Sequence, residues 1–229
     1  MRKTDVIIPA FNEENSVGKV IEALPRELVR EVIVVNNNSN DRTEEVARAA
    51  GATVLREEEQ GYGAACLKGM AYLASKDSSE QPDVVAFIDA DYSDYPEELS
   101  LLLARLDEGY DLVIGSRALG QKEKGAMMPH QRFGNRLATF LIRHLFGVRF
   151  TDLGPFRVIR YEKLLALEMK DRNYGWTVEM QVKAAKMKLR CSEVAVSYRK
   201  RIGKSKVTGT IKGSLGAGYK IIYTIIKSF

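Results

Sequence analysis

Histidine, cysteine and tryptophan are scarce in this chain, and each scarcity removes a class of chemistry. Two histidines, His130 and His144, stand among 229 residues, which leaves little room for a histidine-based metal site or a catalytic triad. The two cysteines, Cys66 and Cys191, lie far apart in apolar periodic segments without metal-ligand spacing, as reduced core residues of a cytoplasmic protein would. Long hydrophobic runs are missing too. None approaches the roughly 20 residues of a membrane-spanning helix, and Asp5 and Pro9 interrupt an N-terminal run too short for a signal peptide. The loop after the first apolar segment has no Gly-x-Gly-x-x-Gly and no Lys-Ser/Thr ending. Neither a dinucleotide fingerprint nor a P-loop is present. Acidic residues are absent from Arg199 onward, a stretch that contains Arg199, Lys200, Arg201, Lys204, Lys206, Lys212, Lys220 and Lys227.

What is present is an ordinary globular composition, 45% hydrophobic and 28% charged, in a length that buries one sizeable core. The net charge of +5 gathers in the C-terminal part and suits a polyanionic partner: a phosphorylated substrate, an acidic lipid surface or a nucleic acid. Nucleic acid fits worst, because the basic run has no interleaved aromatics and no recognition motif.

The organising stretch is Asp83-Val84-Val85-Ala86-Phe87-Ile88-Asp89-Ala90-Asp91, apolar on both alternating faces and ending in two carboxylates. It reads as a buried parallel strand whose end reaches the edge where open α/β sheets bind ligands. Two aspartates there repel each other unless a cation intervenes, and hard oxygen ligands suit Mg²⁺ or Mn²⁺. Other strands are expected at Val6–Ile8, Glu31–Val35, Thr53–Leu55 and Asp111–Ile114, with helical periodicity between them. The alternation predicts parallel β-α units in a Rossmann-like, mostly parallel sheet flanked by helices. The loops 9–14, 36–41 and 89–94 then converge on one crevice, and Arg117 can direct a guanidinium into it. Ala118–Gln131 reads as a mobile loop, Arg132–Phe146 as a helix with Phe133, Leu137, Phe140, Leu141 and Leu145 on one face, and Val158-Ile159 as a short strand. Trp176 reads first as a core aromatic and second as a sugar platform, Glu179 as a partner for Arg157 or Arg117, and Tyr62 as a stacking residue or a surface turn.

These motifs, in this order, resemble those of family-2 glycosyltransferases of the dolichol-phosphate-mannose synthase-like group. Val6 to Glu14 is similar to the family's opening strand and loop, Val34 to Thr43 to its Asp-rich turn, and Asp89-Ala90-Asp91 to its metal motif. Gly115-Ser116-Arg117, Asp152 to Arg157, Glu179-Met180 and Arg201 to Lys206 continue the series. The resemblance implies a GT-A fold over residues 1–206 and a nucleotide-diphospho-sugar donor, GDP-mannose or UDP-glucose. It places Pro9, Ala10, Phe11, Glu13, Asn36, Asn37, Asp89 and Ala90 against the nucleotide, and Asp89 and Asp91 on the metal. Arg117, Arg201 and Lys206 would grip phosphates. Asn36 and Asn37 stand where the family usually has aspartate, which leaves the base open. The acceptor implied is a polyprenyl phosphate, already a nucleophile, with Arg132 and Arg136 as candidates to hold it. A hydroxyl acceptor would instead need a base, for which Asp94 and Asp152 are the candidates. A non-catalytic nucleotide-sugar binding protein is the remaining alternative. Residues 207–229 read as an amphipathic segment on a membrane surface, peripheral at its inner face, or else packed on the catalytic body or across a homodimer interface.

Overall fold

In the computed structural model, which describes residues 2–203 and 211–227 (for 211–215 and 217 the backbone alone), one seven-stranded sheet carries helices on both faces. The strands are β1 Thr4–Ala10, β2 Glu31–Asn36, β3 Thr53–Arg56, β4 Val84–Phe87, β5 Leu112–Ser116, β6 Arg157–Arg160 and β7 Cys191–Ala195. The α-helices are α1 Val17–Ala23, α2 Thr43–Ala49, α3 Tyr62–Ala74, α4 Leu99–Asp107, α5 Pro129–Phe146, α6 Tyr161–Ala166, α7 Trp176–Lys186 and α8 Ile211–Lys227. The strand order is β3-β2-β1-β4-β6-β5-β7.

β1 and β4 are buried along their whole length because they lie in the middle of the sheet with helices on either side. Successive side chains of β1 serve opposite faces. Ile7 joins Ile33, Phe87 and Trp176 in one core layer, while Val6 and Ile8 join Val34, Ile88 and Leu102 in the other. Gly69 of α3 faces Ile7, and a β-carbon there would crowd the isoleucine side chain, so glycine lets this helix lie close to the sheet.

The sheet is mostly parallel, as expected, and one strand is the exception. β6 runs antiparallel to both β4 and β5, with Ala86 opposite Val158 and Val113 opposite Val158. The reason is topological. The chain leaves β5 at the carboxyl edge, makes its excursion through α5, and re-enters the sheet from that same edge. The two apolar residues Val158 and Ile159 carry no information about direction.

Two further differences concern the excursion. The 118–128 stretch, expected to be loose, is stitched to the segment after β7: Tyr198 N donates to Gln121 O at 2.9 Å, Glu123 N to Tyr198 O at 2.9 Å, and Lys200 N to the Glu123 carboxylate at 2.9 Å. Helix α5 buries Ala138, Thr139 and Ile142, with Leu141 and Leu145 packed beside them. Phe133 and Phe140, expected on that buried face, are 70% and 61% exposed. Gly147 ends the helix in the left-handed region, φ 72°. Helix α8 packs through Ile225 into the core layer that holds Trp176, while Tyr219, Tyr223 and Ile226 remain exposed. Among the described residues no helix is long and apolar enough to cross a membrane.

Candidate active site

The carboxyl ends of β1, β2, β3 and β4 open into a cleft of about 380 Å³. Pro9, Ala10, Phe11, Glu13, Asn37, Asp89, Ala90 and Asp91 all line it, as the convergence of three loops requires. The crests of those loops hold the left-handed conformations Asn12 (φ 54°), Asn38 (φ 61°) and Tyr92 (φ 60°). Such geometry is costly for a ring-bearing residue and persists only when neighbours enforce it. Arg199 does so for Tyr92: its Nε donates to Tyr92 O at 2.7 Å and its guanidinium lies 3.4 Å from the ring centroid. The first two loops are pinned to each other. Asn12 N donates to Ser39 Oγ at 2.9 Å, Asn40 N to Asn12 Oδ1 at 2.8 Å, and Glu13 N to Thr43 Oγ1 at 2.8 Å.

The acidic end of the cleft is crowded. Asp91 Oδ1 accepts Ser93 N at 2.9 Å and Ser93 Oγ at 2.5 Å, while Asp91 Oδ2 lies 3.2 Å from Arg201 Nη1. Arg201 also reaches Glu13 Oε1 at 2.7 Å, and so stands between two carboxylates in the position a cation would take. It is brought there by Ile202 N, which donates to Asp91 O at 3.0 Å, and by Arg199 N, which donates to Ser93 O at 2.9 Å. Asp89 Oδ1 is buried with no hydrogen-bond partner. Burial, then the neighbouring Asp91 charge, raises the Asp89 carboxyl, and Tyr62 and the cations Arg201 and Arg117 only partly oppose this. An orphaned buried carboxylate oxygen beside a second carboxylate fits a divalent cation. No cluster of three or more metal-ligating side chains occurs among the described residues, so phosphate and water would complete such a coordination sphere.

Several expected site residues fall elsewhere. Arg117 does not line the cleft; its Nε and Nη2 grip Asp152 at 2.8 Å each, and its backbone N donates to the same carboxylate at 2.8 Å. Its guanidinium also sits over the Tyr198 ring. Asp152 is therefore no free base. Burial alone would raise its carboxyl, but the Arg117 charge and hydrogen bonds outweigh this and hold it below the usual carboxylate range. Asp94 is 1% exposed, does not line the cleft, and has both carboxylate oxygens unpartnered. Burial and the Asp89 charge push its carboxyl well above the ordinary value. Asn36 lies outside the lining, its amide donating to Glu44 at 3.2 Å and accepting from Ser39 N at 3.1 Å. Glu179 orients neither Arg157 nor Arg117. It accepts the backbone N–H groups of Lys170 and Asp171 and pairs with Lys183 at 2.8 Å. Arg157 is held instead by the carbonyls of Leu153, Gly154 and Thr177. Trp176 is a core residue, 1% exposed, with its ring edge-on to Phe87 at 5.9 Å. Arg132 and Arg136 are exposed on α5, outside the lining. Lys206 lies outside the described residues.

The cleft has further lining residues, and two of them, Asn173 and Tyr174, were not foreseen. Tyr62, read from the sequence as a stacking residue or a surface turn, lines it from the start of α3 with its hydroxyl buried beside Asp89. Asn173 and Tyr174 come from the loop between α6 and α7, far along the chain. Their one signal in the sequence is the polar run Asp171-Arg172-Asn173 before an apolar helix, which by itself reads as an ordinary cap.

Comparison with known proteins gives these features a family. The chain is 38% identical over 212 residues to an uncharacterized glycosyltransferase of Mycobacterium bovis, covering 92% of each. It is 36% identical over 211 residues to a dolichyl-phosphate hexose transferase of Haloferax volcanii, covering 88% of this chain and 85% of that one. Its fold is similar to that of glucosyl-3-phosphoglycerate synthase from Mycobacterium tuberculosis, solved in complex with Mn²⁺, UDP and phosphoglyceric acid. That likeness has a TM-score of 0.76 at 22% identity and covers 99% of this chain and 78% of that one. The model of glycosyl transferase family 2 matches residues 5–167. With its parallel-strand cleft and paired aspartates, this chain belongs to glycosyl transferase family 2.

Proposed function

We propose that this glycosyltransferase moves a hexose, mannose or glucose, with inversion, from a GDP- or UDP-sugar to a polyprenyl phosphate of the dolichyl type. Residues 1–206 form the catalytic unit and 207–229 an amphipathic appendage, and the enzyme works as a peripheral protein at the inner face of a membrane. The donor's nucleotide lies along the loops of β1 to β3 and its diphosphate at Asp89 and Asp91. A Mg²⁺ or Mn²⁺ ion there would be held by these two carboxylates, and when bound it neutralises charge developing on the leaving diphosphate. Arg201 already stands at Asp91 and needs only to trade carboxylate oxygens for phosphate oxygens. Pro9, Ala10 and Phe11 form an apolar wall of the cleft for the nucleotide to lie against.

The observation that carries the acceptor assignment is that, with Asp89 and Asp91 given to the metal, no carboxylate lining the cleft among the described residues is left over as a base. Asp152 is committed to Arg117, Glu13 to Arg201 and Ser16, and Asp94 lies away from the lining. A hydroxyl acceptor needs such a base, whereas a phosphate monoester arrives ionised. The similarity to a dolichyl-phosphate hexose transferase supports the same choice. The exposed Phe133, Phe140, Tyr219 and Ile226 on α5 and α8, helices with no acidic residue, are suited to an anionic lipid surface.

The test is a transfer assay with Mn²⁺, radiolabelled GDP-mannose or UDP-glucose, and polyprenyl phosphate. Label should enter the lipid, and Asp91→Asn should abolish transfer while leaving the fold intact by circular dichroism. Transfer to a soluble hydroxyl acceptor with none to lipid would replace the acceptor; near-normal turnover in the variant would reject Asp91 as the metal-holding group.

A further inference from the structure

The cleft runs across the strand order β4-β1-β2-β3, so its two ends are three inter-strand steps apart, about 14 Å at roughly 4.8 Å per step. That is the reach of a nucleoside diphosphate. With the diphosphate at the β4 carboxylates, as proposed above, the base falls at the β2–β3 end, where Asn37, Gln60 and Gly61 form the wall. The obvious base reader there is Asn37, but both of its amide hydrogens are already taken, so it cannot donate to a base. Its Nδ2 donates to Glu57 O at 3.1 Å and Glu59 O at 2.7 Å, and its Oδ1 accepts Gly61 N at 2.8 Å. Asn37 shapes the loop and leaves base recognition to a neighbour.

We propose that Asn173 is the residue that reads the nucleobase of the donor. Its side chain lines the cleft from the opposite half of the chain, and its Oδ1 stands so close to Gly61 that a β-carbon on the glycine would lie only 2.8 Å away. Among the described residues its side-chain amide has no hydrogen-bond partner; only its backbone is engaged, the N–H donating to Asp171 Oδ1 at 2.8 Å and the carbonyl accepting Trp176 N at 3.5 Å. An amide carries a donor and an acceptor side by side, the pattern that a base edge with adjacent N–H and C=O groups matches in two bonds. The loop that carries Asn173 is fixed without its help. Ala64 N donates to Arg172 O at 2.8 Å, Asp171 N to Glu179 at 2.8 Å, and Lys220 of α8 pairs with Asp171 at 3.0 Å. A side chain free of structural duties on a rigid loop at the base end is placed for recognition.

This assignment rests on the proposed donor class, and the experiment separates the two. Calorimetry of the full chain with Mn²⁺ measures the affinities for UDP, GDP and, as a base-free control, inorganic pyrophosphate. In Asn173→Ala the better-bound nucleotide should weaken roughly tenfold, the loss of a two-point amide–base contact, with pyrophosphate unchanged. Asn173→Asp, which can only accept, should alter the ratio of UDP to GDP affinity. Thermal melting should not move in either variant, since the side chain supports nothing. Nucleotide affinities and their ratio unchanged in both variants would overturn this assignment and leave the proposed function standing. A wild-type chain that binds pyrophosphate but neither nucleotide would overturn the donor class, and this assignment with it.

Discussion

Arg117 and Asp152 form a two-point ion pair in a place nearly closed to solvent, so removing one charge strands the other. Asp152→Asn or Arg117→Met should each cost about 3–5 kcal/mol in urea unfolding, and the double variant less than the sum. The pair also sets an acid limit. Because the folded Asp152 carboxyl sits below its usual value, its contribution is complete above the unfolded value of about 3.9 and fades as pH falls through the lower folded value. Acid titration should therefore destabilise the wild type below about pH 4 more steeply than the double variant. A parallel slope in the two would reject the pairing. Next to this pair, Asp94 is a different kind of carboxyl, raised above its ordinary value by burial and by the Asp89 charge.

Helix α3 and the loop before α7 show what an element can demand of single positions. A β-carbon on Gly63 would run into the Asp171 carbonyl oxygen, and one on Gly61 into that of Arg172. Backbone cannot yield as a side-chain tip can, so Gly63→Ala should push the 171–175 loop away. We expect a loss of about 1–3 kcal/mol in unfolding free energy and weaker nucleotide binding, since Asn173 and Tyr174 move with the loop. Gly134, in the middle of α5, is the control. A β-carbon there meets nothing within 4 Å, so Gly134→Ala should stabilise by about 0.5–1 kcal/mol. The opposite signs, read by denaturation, distinguish close packing from a general intolerance of glycine replacement.

The whole molecule has an uneven charge. Its net +5 coexists with an acidic cleft end, because the cations gather on α5, α8 and the segment between β7 and α8. Arg132, Arg136 and Arg143 flank the exposed Phe133 and Phe140, and Lys227 extends toward the Tyr223 ring on α8. On the proposed function, the protein should sediment with vesicles containing anionic lipid and be released as salt rises past about 0.5 M, where charges are screened within a few ångströms. Phe133→Ser with Phe140→Ser should weaken sedimentation without lowering thermal stability, as neither ring is buried. Equal binding to neutral vesicles would remove charge as the cause, and unchanged sedimentation would remove α5 from the contact.

How much of this was legible in the chain follows from which interactions are local. Val6–Ile8, Glu31–Val35 and Val84–Phe87 announce buried strands because period and apolarity are properties of neighbouring residues. The resulting alternation with helices brings Pro9, Phe11, Glu13, Asp89 and Asp91 to one sheet edge whatever the details. Pairings between distant side chains are not written in any local pattern. Arg117 could equally have faced a phosphate; only the antiparallel return of β6 puts Asp152 within 2.8 Å and takes it out of the cleft. Trp176 and Phe133 carry the same apolar signal, yet one is sealed against Phe87 and the other left in solvent, because layer packing chooses which face of a helix is covered. Asn173 becomes a cleft residue solely because its loop crosses the start of α3. Sequence determined the sheet and its acidic rim through short-range periodicity. Tertiary structure decided which charges neutralise each other and which remain free to meet a substrate, since that depends on contacts between segments distant in the chain, from Arg117 with Asp152 to Glu13 with Arg201.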